Sequence, residues 1–184
     1  MSRDHAGWRT RGYLPHFDEA GVIQHIVFRL ADSLPTDVLA RVETAPPPDR
    51  AEAASTALDA GFGSGALANP HVAALVRDAL VRFDGVQYRL IAWCVMPTHV
   101  HILAEQAKGW PLAVVVQGWK SVTARRANNL LGRRGAFWAR EYFDRAIRDE
   151  RHFESTWNYI LANPVIAGLC AVPEDWPWSS VARN

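Results

Sequence analysis

The chain has 184 residues, of which 49% are hydrophobic and 21% charged, and its formal net charge is +1. This length and composition suit one folded domain and exclude collagen-like, disordered and low-complexity chains. No uninterrupted apolar run of about 18 residues occurs, and the first residues lack the apolar stretch of a signal peptide. The sequence therefore predicts a soluble cytoplasmic protein with no membrane partner.

The first half of the chain predicts one strand and one well-defined helix. The β-branched and aromatic residues from Val22 to Leu30 are typical of a strand. Residues 36–69 are rich in Ala, Pro, Asp and Gly, which predicts short helices joined by irregular loops. Apolar residues then recur at helical spacing behind Asn69, the expected N-cap, and Pro70, the expected first helical residue.

Two strands and a long helix are predicted next. The segments Tyr88–Met96 and His99–Glu105 are strand-like, and the Pro97-Thr98 turn between them indicates an antiparallel pair. A helix is expected from about Pro111 to Leu131, where apolar residues share one face and Gly132 follows.

The last third predicts a second ambiguous region and a final helix. Residues 137–147 could form a strand or a loop. Asp149 is expected to cap a helix that Pro164 ends near Asn163, and the tail at 173–180 is not expected to be regular. The order of elements predicts an α+β fold: a central antiparallel sheet with helices packed on one face.

His99 and His101 flank Val100 in the second strand of the predicted pair. Because side chains alternate along a strand, both imidazoles leave the same face, about 7 Å apart. Two imidazoles placed in this way can converge on one divalent metal ion. Two histidines on a polar sheet face can equally meet only solvent.

The last predicted helix has a polar face opposite its apolar one. At 100° per residue, Tyr159, His152 and Asn163 fall within a narrow arc. Tyr159 is either a surface tyrosine or a nucleophile, and Asn163, one turn later, would then add an oxygen ligand to the ion. Because a free tyrosine has a pKa near 10, attack on a phosphodiester needs a metal-polarised phosphate or a base. His152 is a candidate base or phosphate contact.

These residues carry a family resemblance. Met96-Pro97-Thr98-His99-Val100-His101 resembles the Met-Pro-x-His-hydrophobic-His signature of single-tyrosine HUH transposases, and residues 159–169 resemble the segment that holds their tyrosine. Residues 11–17, 143–150 and 173–180 are similar to the branch called REP-associated tyrosine transposases. The resemblance implies a ferredoxin-like HUH nuclease domain over the whole chain, with an insertion around residues 34–69.

The resemblance also implies a reaction and its residues. His99, His101 and Asn163 would hold Mg²⁺ or Mn²⁺, and Tyr159 would be the nucleophile. The tyrosine oxygen would attack a phosphodiester of single-stranded DNA, forming a 5′-phosphotyrosine and freeing a 3′-hydroxyl that can reverse the step. No nucleotide cofactor is implied. The implied partner is single-stranded or hairpin DNA at palindromic repeats, and a monomer and a homodimer both remain open.

The near-neutral total charge conceals a basic segment. Residues 118–151 hold nine basic and four acidic residues, whereas residues 31–84 hold four basic and eight acidic ones. The basic segment separates the histidine strand from the tyrosine helix, so it predicts contacts to a DNA backbone, although it could also be an ordinary solvated surface. The predicted contacts are Lys120, Arg125, Arg126, Arg133, Arg134, Arg140, Arg145 and Arg148. Candidates for base stacking are Trp110, Trp138, Trp176 and Trp178.

Three alternatives stay open at this point. Tyr142 is a rival nucleophile, although Ala146 rather than a ligand stands four residues after it. The chain could be a domesticated, sequence-specific DNA-binding protein of the same fold with little or no cleavage activity. It could also be a metal-dependent phosphodiesterase without a covalent intermediate, in which case Tyr159 would be dispensable.

Overall fold

The computed structural model describes residues 7–10 and 15–183. Residues 11–14, which belong to one of the segments that carry the family resemblance, lie outside that description. Two short strands, β1 (Gly7–Thr10) and β2 (Pro15–Asp18), form an antiparallel pair. A four-stranded antiparallel sheet consists of β3 (Ile23–Leu30), β4 (Tyr88–Val95), β5 (His99–Gln106) and β6 (Trp138–Ala146), in the order β4-β5-β3-β6.

Five α-helices lie in the described part of the chain. They are α1 (Thr36–Thr44), α2 (Pro47–Asp59), α3 (Pro70–Val81), α4 (Leu112–Leu130) and α5 (Glu150–Ile166). From β3 onward, α3 and α4 each connect two strands that are not neighbours, and this connectivity produces a ferredoxin-like sheet. The predicted α+β class with a central antiparallel sheet is confirmed.

Helices cover both faces of the sheet, whereas the sequence predicted helices on one face only. On β3, Phe28 packs in the cluster that contains residues of α3 and α4, and Val27 packs on the other side against α1 and α2. Leu103 of β5 contacts Ile160 of α5 on that second side. The central strands are buried on both faces, so their residues do not show the polar and apolar alternation of a half-exposed sheet.

The helix boundaries follow from local capping. The side chain of Asn69 accepts from the backbone N–H groups of His71 and Val72, and that of Asp149 accepts from His152, as predicted for both N-caps. Residues 138–146 form a strand, which resolves the ambiguous segment. The expected end of α5 near Asn163 is wrong. The helix continues through Pro164 to Ile166, since the proline removes one donor while Ala167 still donates to the Asn163 carbonyl.

The tail covers the exposed edge of the sheet. After a short turn of 3-10 helix at Pro173–Asp175, the N–H of Val95 donates to the Trp178 carbonyl at 2.8 Å, and the N–H of Ser180 donates to the Trp93 carbonyl at 2.9 Å. This pairing satisfies backbone groups of β4 that an open edge would expose. No helix in the described segments combines the length and apolar character needed to cross a membrane.

Candidate active site

The four residues predicted to form the site lie together. His99 and His101 project from β5 toward the face on which α5 packs, and α5 supplies Tyr159 and Asn163. The Nε2 atoms of the two histidines are 2.9 Å apart, and the side-chain amide nitrogen of Asn163 is 3.3 Å from Nε2 of His101. The Tyr159 ring stands edge-on to the His101 ring, with centroids 5.4 Å apart. The sheet and α5 therefore join two distant parts of the sequence at one point.

Both histidines are oriented through their second ring nitrogen. Nδ1 of His99 lies 3.0 Å from the Thr98 hydroxyl, and Nδ1 of His101 lies 3.1 Å from Nε2 of His25. When Nδ1 carries the ring proton, each Nε2 has a lone pair, and the two lone pairs point into the same small space. His25 was not among the predicted residues. Its contact with His101 depends on the register of β3 against β5, which the sequence does not reveal.

Burial keeps these imidazoles neutral. It lowers the pKa of His25 to about 4 and that of His99 to about 3, and it lowers the pKa of His101 well below its usual value. Nearby side chains lower these pKa values further: His152 and Arg145 act on His25, His25 acts on His99, and His99 and His25 act on His101. Neutral imidazoles are the form that binds a metal ion.

A carboxylate that sequence reasoning missed completes the cluster. Asp59, the last residue of α2, accepts a 2.9 Å hydrogen bond from the Tyr159 hydroxyl through Oδ2. Its Oδ1 is 3.7 Å from Nε2 of His99. Burial raises the pKa of Asp59, an effect that the Tyr159 hydrogen bond opposes. Burial, followed by the charge of Asp59, raises the pKa of Tyr159 to about 12. The sequence around Asp59 contains no motif that could have indicated this position.

The donor set fits a small divalent cation. One oxygen of Asp59 and one nitrogen each of His99 and His101 lie within 4.8 Å of one another. Adjacent ligands of an octahedral ion are about 3 Å apart and opposite ones about 4 Å apart, so the 2.9 Å between the two Nε2 atoms and the 3.7 Å from His99 Nε2 to Asp59 Oδ1 can surround one ion. Rotation of the buried Asn163 amide would direct its oxygen to the same place. Imidazole nitrogens with carboxylate and amide oxygens suit Mn²⁺ and are acceptable to Mg²⁺.

A cavity of about 290 Å³ opens beside Tyr159. Positive or hydrogen-bonding side chains from β6 and α5 line it, including Arg145, His152 and Ser155. Nδ1 of His152 accepts from the backbone N–H of Arg148 at 3.2 Å, so the neutral ring carries its proton on Nε2. In that tautomer Nε2 can donate to a phosphate, whereas Nδ1, the nitrogen that a base would use, already accepts a hydrogen bond. Of the two roles predicted for His152, the geometry therefore favours the phosphate contact.

The basic residues predicted to contact DNA do not form one surface. Arg145 lines the cavity, and Arg148 is exposed just before α5, where its backbone N–H donates to His152 of the cavity lining. Arg125 and Arg126 are exposed on α4, which packs against the opposite face of the sheet. Lys120 is buried and donates to the Arg140 carbonyl at 2.7 Å, and burial lowers its pKa to about 8. The remaining three follow α4: Arg133 is half-buried, with its guanidinium 5.7 Å from the centre of the Phe137 ring, and Arg134 and Arg140 are exposed.

The aromatic alternatives occupy other places. Tyr142 lies opposite Phe28 in the sheet and belongs to the cluster on the α3 and α4 side, away from His99 and His101. Trp138 is buried and donates to Thr123. The indole N–H of Trp176 donates to the Val95 carbonyl, and Trp178 is half-buried beneath the Arg77 guanidinium. Trp110 is 36% exposed, so it alone among the four tryptophans offers an open ring.

Comparison with known proteins identifies the family. Residues 72–163, half of the chain, match the family model described as "Transposase IS200 like". This chain belongs to the IS200-like transposase family. The matched range includes both histidines of β5 and extends to Asn163, and the predicted family resemblance is thereby confirmed.

Relatives of this chain support the assignment. It is 27% identical over 107 residues to a protein of Haemophilus influenzae assigned as a REP-associated tyrosine transposase, an alignment that covers 53% of the chain and 61% of that protein. It is 24% identical over 115 residues to the REP-associated tyrosine transposase of Escherichia coli K12, covering 60% of the chain and 65% of that protein. The chain thus spans slightly less than two thirds of the length of these curated relatives.

A solved structure shares the fold of this chain. It is a REP-associated tyrosine transposase bound to a REP hairpin, and it superposes with a TM-score of 0.61 at 17% identity. The superposition covers 90% of this chain and 79% of that one. At this identity the likeness concerns the fold, so the chemistry must be argued from the site itself.

Proposed function

We propose that this transposase cleaves and rejoins single-stranded DNA with Tyr159 as its nucleophile and a divalent metal ion as its cofactor. One observation carries the proposal: β5 and α5 bring His99, His101, Asn163 and Tyr159 together, although Tyr159 is 58 positions beyond His101 in the sequence. A tyrosine that only covers the surface does not require contact with histidine side chains, whereas the Tyr159 ring lies edge-on to the rings of His101 and His25.

The proposed step is a transesterification. The Tyr159 hydroxyl gives up its proton and its oxygen forms a bond to phosphorus while the bond from phosphorus to the 3′-oxygen breaks. The leaving 3′-oxygen takes up a proton, so the products are a 5′-phosphotyrosine and a free 3′-hydroxyl. A new 3′-hydroxyl can reverse the step, so no nucleotide cofactor is needed. His99, His101 and Asn163 would hold Mg²⁺ or Mn²⁺, which would polarise the scissile phosphate and stabilise its developing charge.

We infer a hairpin or palindromic repeat as the DNA partner. The assignments of the two relatives and the hairpin in the solved structure support this inference. Arg145 and His152 line the cavity beside Tyr159 and would contact the phosphate next to the cleaved bond. The exposed arginines farther from the site would contact the flanking backbone.

We also propose that residues 34–69 are an insertion in a single HUH domain. A crossover from β3 to β4 needs one helix, and α3 serves that purpose on the same face as α4. The helices α1 and α2 precede α3 and pack on the opposite face, where α2 forms one wall of the site.

The test is formation of a covalent adduct. Wild-type protein, Tyr159→Phe and His101→Ala are incubated with labelled hairpin-bearing single-stranded DNA and Mn²⁺, and the products are separated on a denaturing gel. We expect an adduct with the wild type only. Tyr142→Phe is the matched control, because Tyr142 is the rival tyrosine on the other face of the sheet, and it should retain the adduct.

Each alternative function has its own outcome. An adduct that persists in Tyr159→Phe contradicts the nucleophile assignment. Cleavage without any adduct indicates a phosphodiesterase. Hairpin binding without cleavage under Mg²⁺ or Mn²⁺ indicates a DNA-binding protein that retains only the fold.

A further inference from the structure

Asp59 lies at the site but belongs to α2, and no residue of α2 has a role in the proposed reaction. It is the last residue of α2, in the segment proposed as an insertion. Ala54 and Leu58 hold α2 in a buried cluster with Val27 of β3 and Phe143 of β6. Because these contacts fix the C-terminal half of α2 on the sheet, the Asp59 carboxylate has a defined position rather than a loop-like one.

The two oxygens of Asp59 have different surroundings. Oδ2 accepts the Tyr159 hydrogen bond at 2.9 Å. Oδ1 is shielded from solvent, has no hydrogen-bond partner among the described residues, and faces Nε2 of His99 at 3.7 Å. Shielding an unsatisfied carboxylate oxygen from water costs free energy, and when His99 carries its ring proton on Nδ1, the Nε2 lone pair that faces this oxygen gives no compensation. A cation between them would compensate both groups.

We propose that Asp59 is an additional ligand of the metal ion at His99 and His101, and that its other oxygen holds the Tyr159 hydroxyl beside that ion. This inference rests on the proposed function and adds to it a ligand from outside the histidine motif. Three neutral ligands leave the full charge of a divalent ion uncompensated in a buried site. One carboxylate adds a hard, negatively charged oxygen, the ligand type that Mg²⁺ and Mn²⁺ prefer.

The direct measurement is Mn²⁺ binding to the full chain by isothermal titration calorimetry, without DNA. Asp59→Asn keeps the size of the side chain and still offers Tyr159 an oxygen acceptor, but it removes the charge. We expect it to weaken Mn²⁺ binding by about tenfold or more, within the range seen when groups around a metal are changed. The matched control is Asp37→Asn, because Asp37 is exposed on α1 and paired only on the surface with Arg41, and it should bind as the wild type does.

Further variants separate this inference from the proposed function. If His101→Ala loses Mn²⁺ binding but Asp59→Asn binds as tightly as the wild type, Asp59 is not a ligand and the proposed function survives. If His101→Ala binds Mn²⁺ as tightly as the wild type, or the wild type binds none, the proposed metal site itself is wrong. Asp59→Glu, which retains the charge on a longer arm, covers the case in which the asparagine variant does not fold. It should bind Mn²⁺ more tightly than His101→Ala, and equal loss in the two overturns the inference.

Discussion

At the scale of single residues, the orientation of the His101 ring depends on its contact with His25. Its Nε2 is 3.1 Å from Nδ1 of His101, and its ring lies 5.3 Å from the His101 ring. This contact leaves Nε2 of His101 directed at His99. A second ring nitrogen with a fixed partner sets both the tautomer and the orientation of a metal-binding histidine.

We therefore expect His25→Ala to weaken Mn²⁺ binding by about 10- to 100-fold, because His101 loses the group that orients it. Isothermal titration calorimetry measures the effect. His71→Ala, at an exposed position in the first turn of α3, is the control and should leave binding unchanged. Equal Mn²⁺ affinity in the His25 variant and the wild type would show that Thr98 and the packing of β5 suffice to orient the histidines.

On the opposite face of the sheet, the hydroxyl of Tyr88 makes two buried hydrogen bonds. The buried Tyr88 hydroxyl donates to the Leu80 carbonyl at 2.6 Å and accepts from the indole N–H of Trp119 at 2.9 Å. Tyr88→Phe leaves the indole N–H without this acceptor, so it should lower the free energy of unfolding by about 1 to 3 kcal/mol. Urea denaturation measures this loss. The loss should shrink in a Trp119→Phe background, where the unsatisfied donor is absent, and equal losses in both backgrounds would contradict the explanation.

At the scale of secondary-structure elements, the arginines of the basic segment at residues 118–151 fall into two groups on opposite faces of the sheet. Arg125 and Arg126 are exposed on a helix that packs on one face, whereas Arg145 and Arg148 lie with the site on the other. A single bound strand at the Tyr159 cavity would meet the second group first. The α4 arginines are better placed for a part of the DNA that extends away from the bond proposed to be cleaved.

The double variant Arg125→Ala, Arg126→Ala should weaken binding to hairpin DNA. Each phosphate contact that is lost lowers the number of counterions that the DNA releases when the protein binds. The slope of log K against log salt should become shallower by about 1 to 2. Fluorescence anisotropy at several salt concentrations measures this slope. The control is Arg41→Ala, Arg82→Ala, which removes the same charge from α1 and the end of α3. An equal change in slope in this control would show that total charge, rather than α4, governs binding.

At the scale of the whole molecule, the tail closes the β4 edge of the sheet. Beyond its two backbone hydrogen bonds, it is held by the Trp176 indole, which donates to the Val95 carbonyl, and by Trp178, which packs against the buried cluster on the α3 and α4 side of the sheet. At the other edge, His16 and Phe17 of β2 contact the Asp144 carboxylate of β6. Covered edges prevent pairing between copies of the chain.

A chain that ends at Asp175 should therefore expose β4 and associate. We expect its apparent mass to rise with concentration in size-exclusion chromatography coupled to light scattering. The matched control ends at Ser180 and keeps both backbone hydrogen bonds to β4. If the shorter chain behaves as the control does at every concentration, the tail is not needed to protect this edge.

Local chemistry was readable from the sequence. The alternation of His99 and His101 and the shared helix face of Tyr159 and Asn163 depend on period and spacing, which hold for any strand or helix. The Asn69 and Asp149 caps are equally local, since each side chain bonds to backbone a few residues away. These patterns, with the motif they form, predicted the α+β sheet and the family that the comparisons confirmed.

Contacts between distant segments required the tertiary structure. His25 meets His101 because β3 pairs with β5 in one register, and Asp59 meets Tyr159 across 100 positions of sequence because α2 and α5 pack on the same face. The placement of helices on both faces also divided a basic segment that is continuous in sequence. Periodicity determines which way a side chain points within its own element, whereas its partners depend on register and packing between elements, which no single segment encodes.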